Sequence, residues 1–220
     1  DNCSTRSSRR IASNNSTLDL ATSAPPERRQ QHSEPSGWGQ IRPSQQVPGV
    51  SEVGPNQAVT VGPDQTDRAS LYDNTFKGGG VGVLSIMSKN YGMVLSRNSF
   101  IGLGLGVDTS ISATVTIDNN VFKGNGASGL NLRDVWAGTV TGNTFVGNGF
   151  SPGIYADPSG NPLTAGLWTS IDGNGTIAHN TAIGNAGYGI EAHGAVDGGG
   201  NIARGNGNPA QCLGVVCTKK

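Results

Sequence analysis

Aromatic side chains make up only 5% of the 220 positions and charged side chains only 14%. What charge there is cancels: fifteen Lys and Arg face fifteen Asp and Glu. With no net field, the chain has nothing to hold a polyanion by counterion release, so nucleic acid is not an expected partner. Long apolar runs are missing too. None approaches the roughly 20 residues of a bilayer-spanning helix, so no membrane partner is expected. Three cysteines with no Cys-x-x-Cys, three histidines and two methionines are too few soft ligands for a zinc or copper cage. The acidic residues are spread too thinly to build a calcium site, so neither metal nor cofactor is expected. The polar, arginine-containing start does not read as a signal peptide.

Glycine is what the chain has in excess, at 35 positions. Each glycine inside a helix costs roughly 1 kcal/mol relative to alanine, which argues against a helical bundle. Two compositions meet near residue 70. Residues 1–70 hold seven of the eleven prolines, no lysine and nine of the Leu, Ile, Val and Phe residues. Such a segment buries too little to offset its ordering entropy, and about the first 45 residues read as a disordered tail. Gln57 to Val61, between two prolines, reads as a leading strand. The expected division is therefore a disordered or irregular segment over 1–56 and a β domain over 57–220.

Within that domain the chain repeats itself. Asparagine, then an apolar residue two positions on, then glycine four positions on, occurs at Asn74/Phe76/Gly78, Asn98/Phe100/Gly102, Asn120/Phe122/Gly124, Asn143/Phe145/Gly147, Asn180/Ala182/Gly184 and Asn201/Ala203/Gly205. The spacings are 24, 22, 23, 37 and 21 residues. Glycine followed by an apolar residue recurs at Gly82-Val83, Gly106-Val107, Gly129-Leu130, Gly153-Ile154 and Gly189-Ile190. Short alternating stretches such as Thr139-Val140-Thr141, with few leucines and no helical pattern, predict one β-helix coil per unit rather than a leucine-rich repeat. The phenylalanines stack on one inner wall, and Leu95, Ile117, Val140 and Ile177 form a second stripe. Stacked at one bend, the six asparagines Asn74, Asn98, Asn120, Asn143, Asn180 and Asn201 are expected to hydrogen-bond one another and the turn backbone, a structural role.

The pattern at Val140 to Gly149 resembles the right-handed parallel β-helix repeat of the pectin-lyase-like superfamily, and the glycine-rich end near Cys212 resembles the closing segment of bacterial secreted β-helix proteins. The resemblance implies an all-β fold: a short, single-stranded, right-handed parallel β-helix of about six coils. It also implies a secreted, extracellular protein. Cys212 and Cys217 are close enough in sequence to form a terminal clip, which leaves Cys3 as an odd thiol. Activity does not carry over. The polygalacturonase motifs Asn-Thr-Asp, Asp-Asp and Arg-Ile-Lys are missing, Ala192-His193-Gly194 matches Gly-His-Gly only in part, and Asp157-Pro158 keeps half of an epimerase-type motif.

Alternation against the buried Val83, Val107, Leu130, Ile154 and Ile190 predicts an outward column Leu84, Asp108, Asn131, Tyr155, Glu191. A second runs Ile86, Ser110, Arg133, Asp157, His193. Asp157, His193 and Arg133 are the candidate catalytic set: a carboxylate base, a proton-transfer partner and a cation to hold the carboxylate ionised or to neutralise a uronate. Tyr155, Glu191, Asn131, Trp136 and Trp168 are the candidate substrate-binding set, the indoles by stacking on sugar rings. The 37-residue spacing exceeds its neighbours by about 14 residues around Asp157 to Pro162, a long loop suited to wall a cleft beside this face. The expected function is a secreted, monomeric, carbohydrate-associated domain that binds a polysaccharide. If it also cleaves one, the chemistry is of the lyase or glycoside hydrolase type. The alternative is a non-catalytic spacer or adhesion rod.

Overall fold

A computed structural model describes residues 11–13, 16–18, 39–41, 46–48, 59–61, 69–86 and 92–219. The expected disordered tail lies largely outside these residues, as does Cys3. Strands 39–41 and 46–48 pair in parallel with 59–61 and 69–72.

Residues 11–13 and 16–18 form a separate antiparallel pair, and the strands that follow wind as a parallel β-solenoid of about six turns. One sheet stacks the three-residue strands 75–77, 99–101, 121–123, 144–146 and 181–183, followed by 201–204 and 217–218. The other sheet wraps the remaining walls, and strands 105–118, 130–141 and 167–178 each bend across two of them. Every short strand sits between two tight corners. The residue before each ladder asparagine is left-handed, as at Arg97 (φ 57°) and Asn119 (φ 55°), and so is the glycine four positions after it, as at Gly102 (φ 62°). Glycine meets that backbone demand at no steric cost.

Phe76, Phe100, Phe122 and Phe145 fill the core in register, with ring centroids 4.8 to 4.9 Å apart and planes within 8° of parallel. This is the strand spacing itself, so one aromatic per coil packs against the next without a void. Val83, Val107, Leu130, Leu167 and Ile190 line the next wall, and Leu95, Ile117, Val140 and Ile177 the third. The glycine before that second wall is a close approach: a Cβ on Gly106 would run into the Gly129 carbonyl.

The long repeat corrects one expectation. Leu167, not Ile154, pairs with Leu130 and Ile190, so Gly166-Leu167 is the true repeat position. Ile154 is 93% exposed. Gly149 packs directly against Thr164, so the loop's ends meet there. Residues 150–163 are the insertion, and removing them leaves Asn148-Gly149-Thr164-Ala165-Gly166-Leu167 in step with Asn125-Gly126-Ala127-Ser128-Gly129-Leu130.

Candidate functional site

The asparagine ladder is structural in its details. From Asn74 to Asn180, each Nδ2 donates to the next coil's Oδ1 at 3.0 to 3.2 Å. The same Oδ1 also accepts the backbone N–H of the asparagine below it in sequence, as Asn143 Oδ1 does from Asn120 at 2.9 Å. From Asn98 onward, Nδ2 also reaches back to a carbonyl of an earlier coil, as Asn120 does to Leu95. All four phenylalanine-bearing coils hold their asparagine at 1% exposure or less. A second ladder of the same design runs through Asn125, Asn148, Asn185 and Asn206, with amide contacts of 2.9 Å. Its signal is the asparagine that follows the corner glycine in Gly124-Asn125, Gly147-Asn148, Gly184-Asn185 and Gly205-Asn206, one position beyond the unit used to find the repeat.

On the outer face, register fixes the columns. The first is Leu84, Asp108, Asn131, Trp168, Glu191, Leu213, and the second brings Ser110 beside Arg133 and Ser170 beside His193. Trp168 and Ser170 thus occupy the places expected for Tyr155 and Asp157, because the repeat position is Gly166-Leu167 and not Gly153-Ile154. Asp157 does not lie between Arg133 and His193 in these columns. Its carboxylate folds into its own loop, accepting the Ser159 and Asn161 N–H groups at 2.9 and 2.8 Å and the Asn161 amide at 3.0 Å. Slight burial pushes that carboxyl up, but the hydrogen bonds from Asn161, Ser159 and Gly160 outweigh it and hold it below the ordinary aspartate range.

Arg133 finds a different carboxylate. Its Nη2 donates to both oxygens of Asp108, at 3.0 and 2.8 Å, and Asn131 Nδ2 donates to the same group at 2.8 Å. Sequence reasoning placed Asp108 in the column but not in the site. Its adjacency to Asn131, one coil away, was the available signal. His193 Nε2 stands 3.3 Å from Glu191 Oε1, and its ring is 5.8 Å from that of Trp168.

The inserted loop lies over the start of this wall. Tyr155, Leu163 and Ala165 pack with Leu105, Ala127 and Trp168 in a second, smaller apolar cluster. Tyr155 reaches across to Gly104, where a Cβ would sit 3.1 Å from its hydroxyl. Burial, and then the nearby charge of Asp108, push the Tyr155 phenol above its ordinary value. Trp168 is only 6% exposed, so the expected stacking of its indole on a sugar is not available in this arrangement. Trp136 lies in strand 130–141, and its side chain falls outside the described residues.

Three side-chain atoms in this patch are buried and have no hydrogen-bond partner: Asn131 Oδ1, Arg133 Nε and Trp168 Nε1. A buried polar group left unpaired costs about 1 to 3 kcal/mol, so each of the three is an open demand, a condition shared by the buried hydroxyls of Ser85, Thr109, Ser128 and Thr169. Asp108 and Glu191 are three strands apart in one column, about 14 Å at roughly 4.8 Å per strand. Glycosidase carboxylate pairs stand about 5 to 9.5 Å apart, so these two do not form one. Among the described residues no cluster of His, Cys, Asp and Glu could hold a metal ion, and no helix is long and apolar enough to cross a membrane.

No curated protein and no solved structure matches the chain significantly. Residues 58–214 match the family described as right handed beta helix region. That span takes in the asparagine ladders, the phenylalanine stack and the loop-covered wall, and the chain therefore belongs to the right-handed β-helix family.

Proposed function

We propose that this chain is an extracellular, carbohydrate-binding β-helix domain that takes a neutral, hydroxyl-rich glycan on the wall formed by Asn131, Arg133, Trp168, Glu191 and His193. The observation that carries this reading is the trio of unpartnered atoms on adjacent coils: two donors, Arg133 Nε and Trp168 Nε1, beside one acceptor, Asn131 Oδ1. A sugar hydroxyl both donates and accepts, so one or two of them meet all three needs. Access requires the Tyr155 loop to lift, and the apolar cluster that holds it is small. The half-exposed His193 and the partly exposed Glu191 then flank the opening.

Charge argues for a neutral ligand rather than a uronate. Arg133 is committed to Asp108, and Glu191 adds a further carboxylate, which leaves no spare cation in these columns for an acidic sugar. Cleavage has less support than binding, given the separation of Asp108 from Glu191 and the engagement of Asp157 in its own turn. The disulfide Cys212–Cys217 favours an oxidising, extracellular setting.

A glycan array carrying neutral and uronate oligosaccharides tests the proposal on the intact chain. Retention on neutral arms and none on uronates is the expected result. No retention on any arm leaves the spacer reading, in which the coils serve only as a rod.

A further inference from the structure

The last coil is built differently from those before it. In the second ladder, Asn206 has no asparagine beyond it to receive its N–H groups. Gln211, five residues on in the same coil, supplies the acceptor instead: its Oε1 takes Asn206 N at 3.0 Å and Nδ2 at 2.9 Å. Its own amide is turned back onto the Asn206 and Asn208 carbonyls. The first ladder ends on Asp197, which accepts Asn201 Nδ2 at 3.3 Å through Oδ1 and the Val216 N–H at 2.9 Å through Oδ2.

Between these two terminators runs the Cys212–Cys217 loop. Cys212 belongs to the strand that pairs with Ile190 and Glu191 in one sheet, and Cys217 to the strand that pairs with Asn201 and Ile202 in the other. The disulfide thus ties the final strand of one sheet to the final strand of the other. Val215 points into the gap and joins the main core, with both half-cystines packed against it. Each tied strand is only two residues long, far too short to hold by pairing alone. The bridge is partly exposed, and its neighbours Leu213, Gly214, Val216 and Thr218 are exposed.

We propose that the Cys212–Cys217 loop is a redox-released cap, opened by an external dithiol and otherwise closing the C-terminal end of the solenoid. A thiolate of the dithiol attacks one Sγ, the S–S bond breaks, and a mixed disulfide forms. Its second thiolate then resolves that bond. Two electrons and two protons end on Cys212 and Cys217, and the dithiol leaves as its own disulfide. With the tie gone, Val215 and the two short strands leave the end of the core, and the edges at 190–193 and 201–204 lose their cover. The effect is confined to one end, because the asparagine and phenylalanine columns beyond it keep their own contacts.

Hydrogen exchange on the full chain, oxidised and after treatment with dithiothreitol, tests this. Appearance of two further reactive thiols establishes that reduction took place. The expected result is exchange at least about tenfold faster over 201–218, with amides of the phenylalanine coils at 99–146 changed less than about twofold. The Cys212→Ser/Cys217→Ser variant should show the same local pattern without reductant. Unchanged protection of 201–218 in the reduced chain overturns the proposal. So does a loss shared equally by every coil, which would make the bridge a staple for the whole fold.

Discussion

Phe122 sits in the middle of the ring stack, fully buried between Phe100 and Phe145. Phe122→Ala is expected to cost about 3 to 5 kcal/mol, since the stacked neighbours cannot collapse into the space. Denaturant unfolding reads this directly, and native-like stability would contradict the assigned stack. Tyr155 gives a residue-scale test of the covered wall. Its phenol is raised by burial and by Asp108, so its favourable contribution is complete below the ordinary tyrosine value of about 10 and is lost as pH rises through the folded value. An absorbance titration should find the Tyr155 phenolate forming late, and Asp108→Asn should bring it earlier while leaving the burial contribution. An unshifted midpoint in that variant would place Asp108 too far from the ring to matter.

Among elements, the two ladders and the insertion do different work. Asn143→Ala removes the acceptor for both Asn120 N and Asn120 Nδ2. The Asn120 N–H is left unpaired, at about 1 to 3 kcal/mol, while Asn120 Nδ2 keeps the Leu95 and Asp118 carbonyls, so with the lost amide bonds of Asn143 itself the variant should lose roughly 2 to 5 kcal/mol. Asn119→Ala, at the exposed corner beside it, strands little and meets only the left-handed backbone, for about 1 to 2 kcal/mol. Equal losses in chemical unfolding would contradict the ladder account. Excising residues 150–163 should leave the coils folded, because Gly149 and Thr164 already touch, while opening Trp168 to acrylamide quenching. These elements were unequally legible in the sequence. The phenylalanine and first asparagine columns could be read because side chain and spacing repeat together. The inserted loop misled because Gly153-Ile154 imitates the glycine and apolar pair, and only spatial pairing shows Gly166-Leu167 in that place. Asp157 then inherited a column position that belongs to Ser170.

Taken whole, the molecule joins an interior given to stacking to one outer wall on which Asn131 Oδ1, Arg133 Nε and Trp168 Nε1 are left unmet. The interior was legible because it obeys a one-coil rule. The wall was not, because Arg133 meets Asp108 and Trp168 slides beneath the loop through contacts between residues 25 or more positions apart or across the insertion. The most direct measurement compares glycan retention and melting temperature for the parent chain and the Asn131→Ala/Glu191→Ala/His193→Ala variant, on the neutral oligosaccharides the parent retains. Glu191 and His193 are partly exposed and outside the core, and Asn131 carries one of the unmet atoms. The account predicts a folded variant that melts cooperatively, with retention lost. A variant that retains the glycan as well as the parent would contradict it, and would move any binding off this wall.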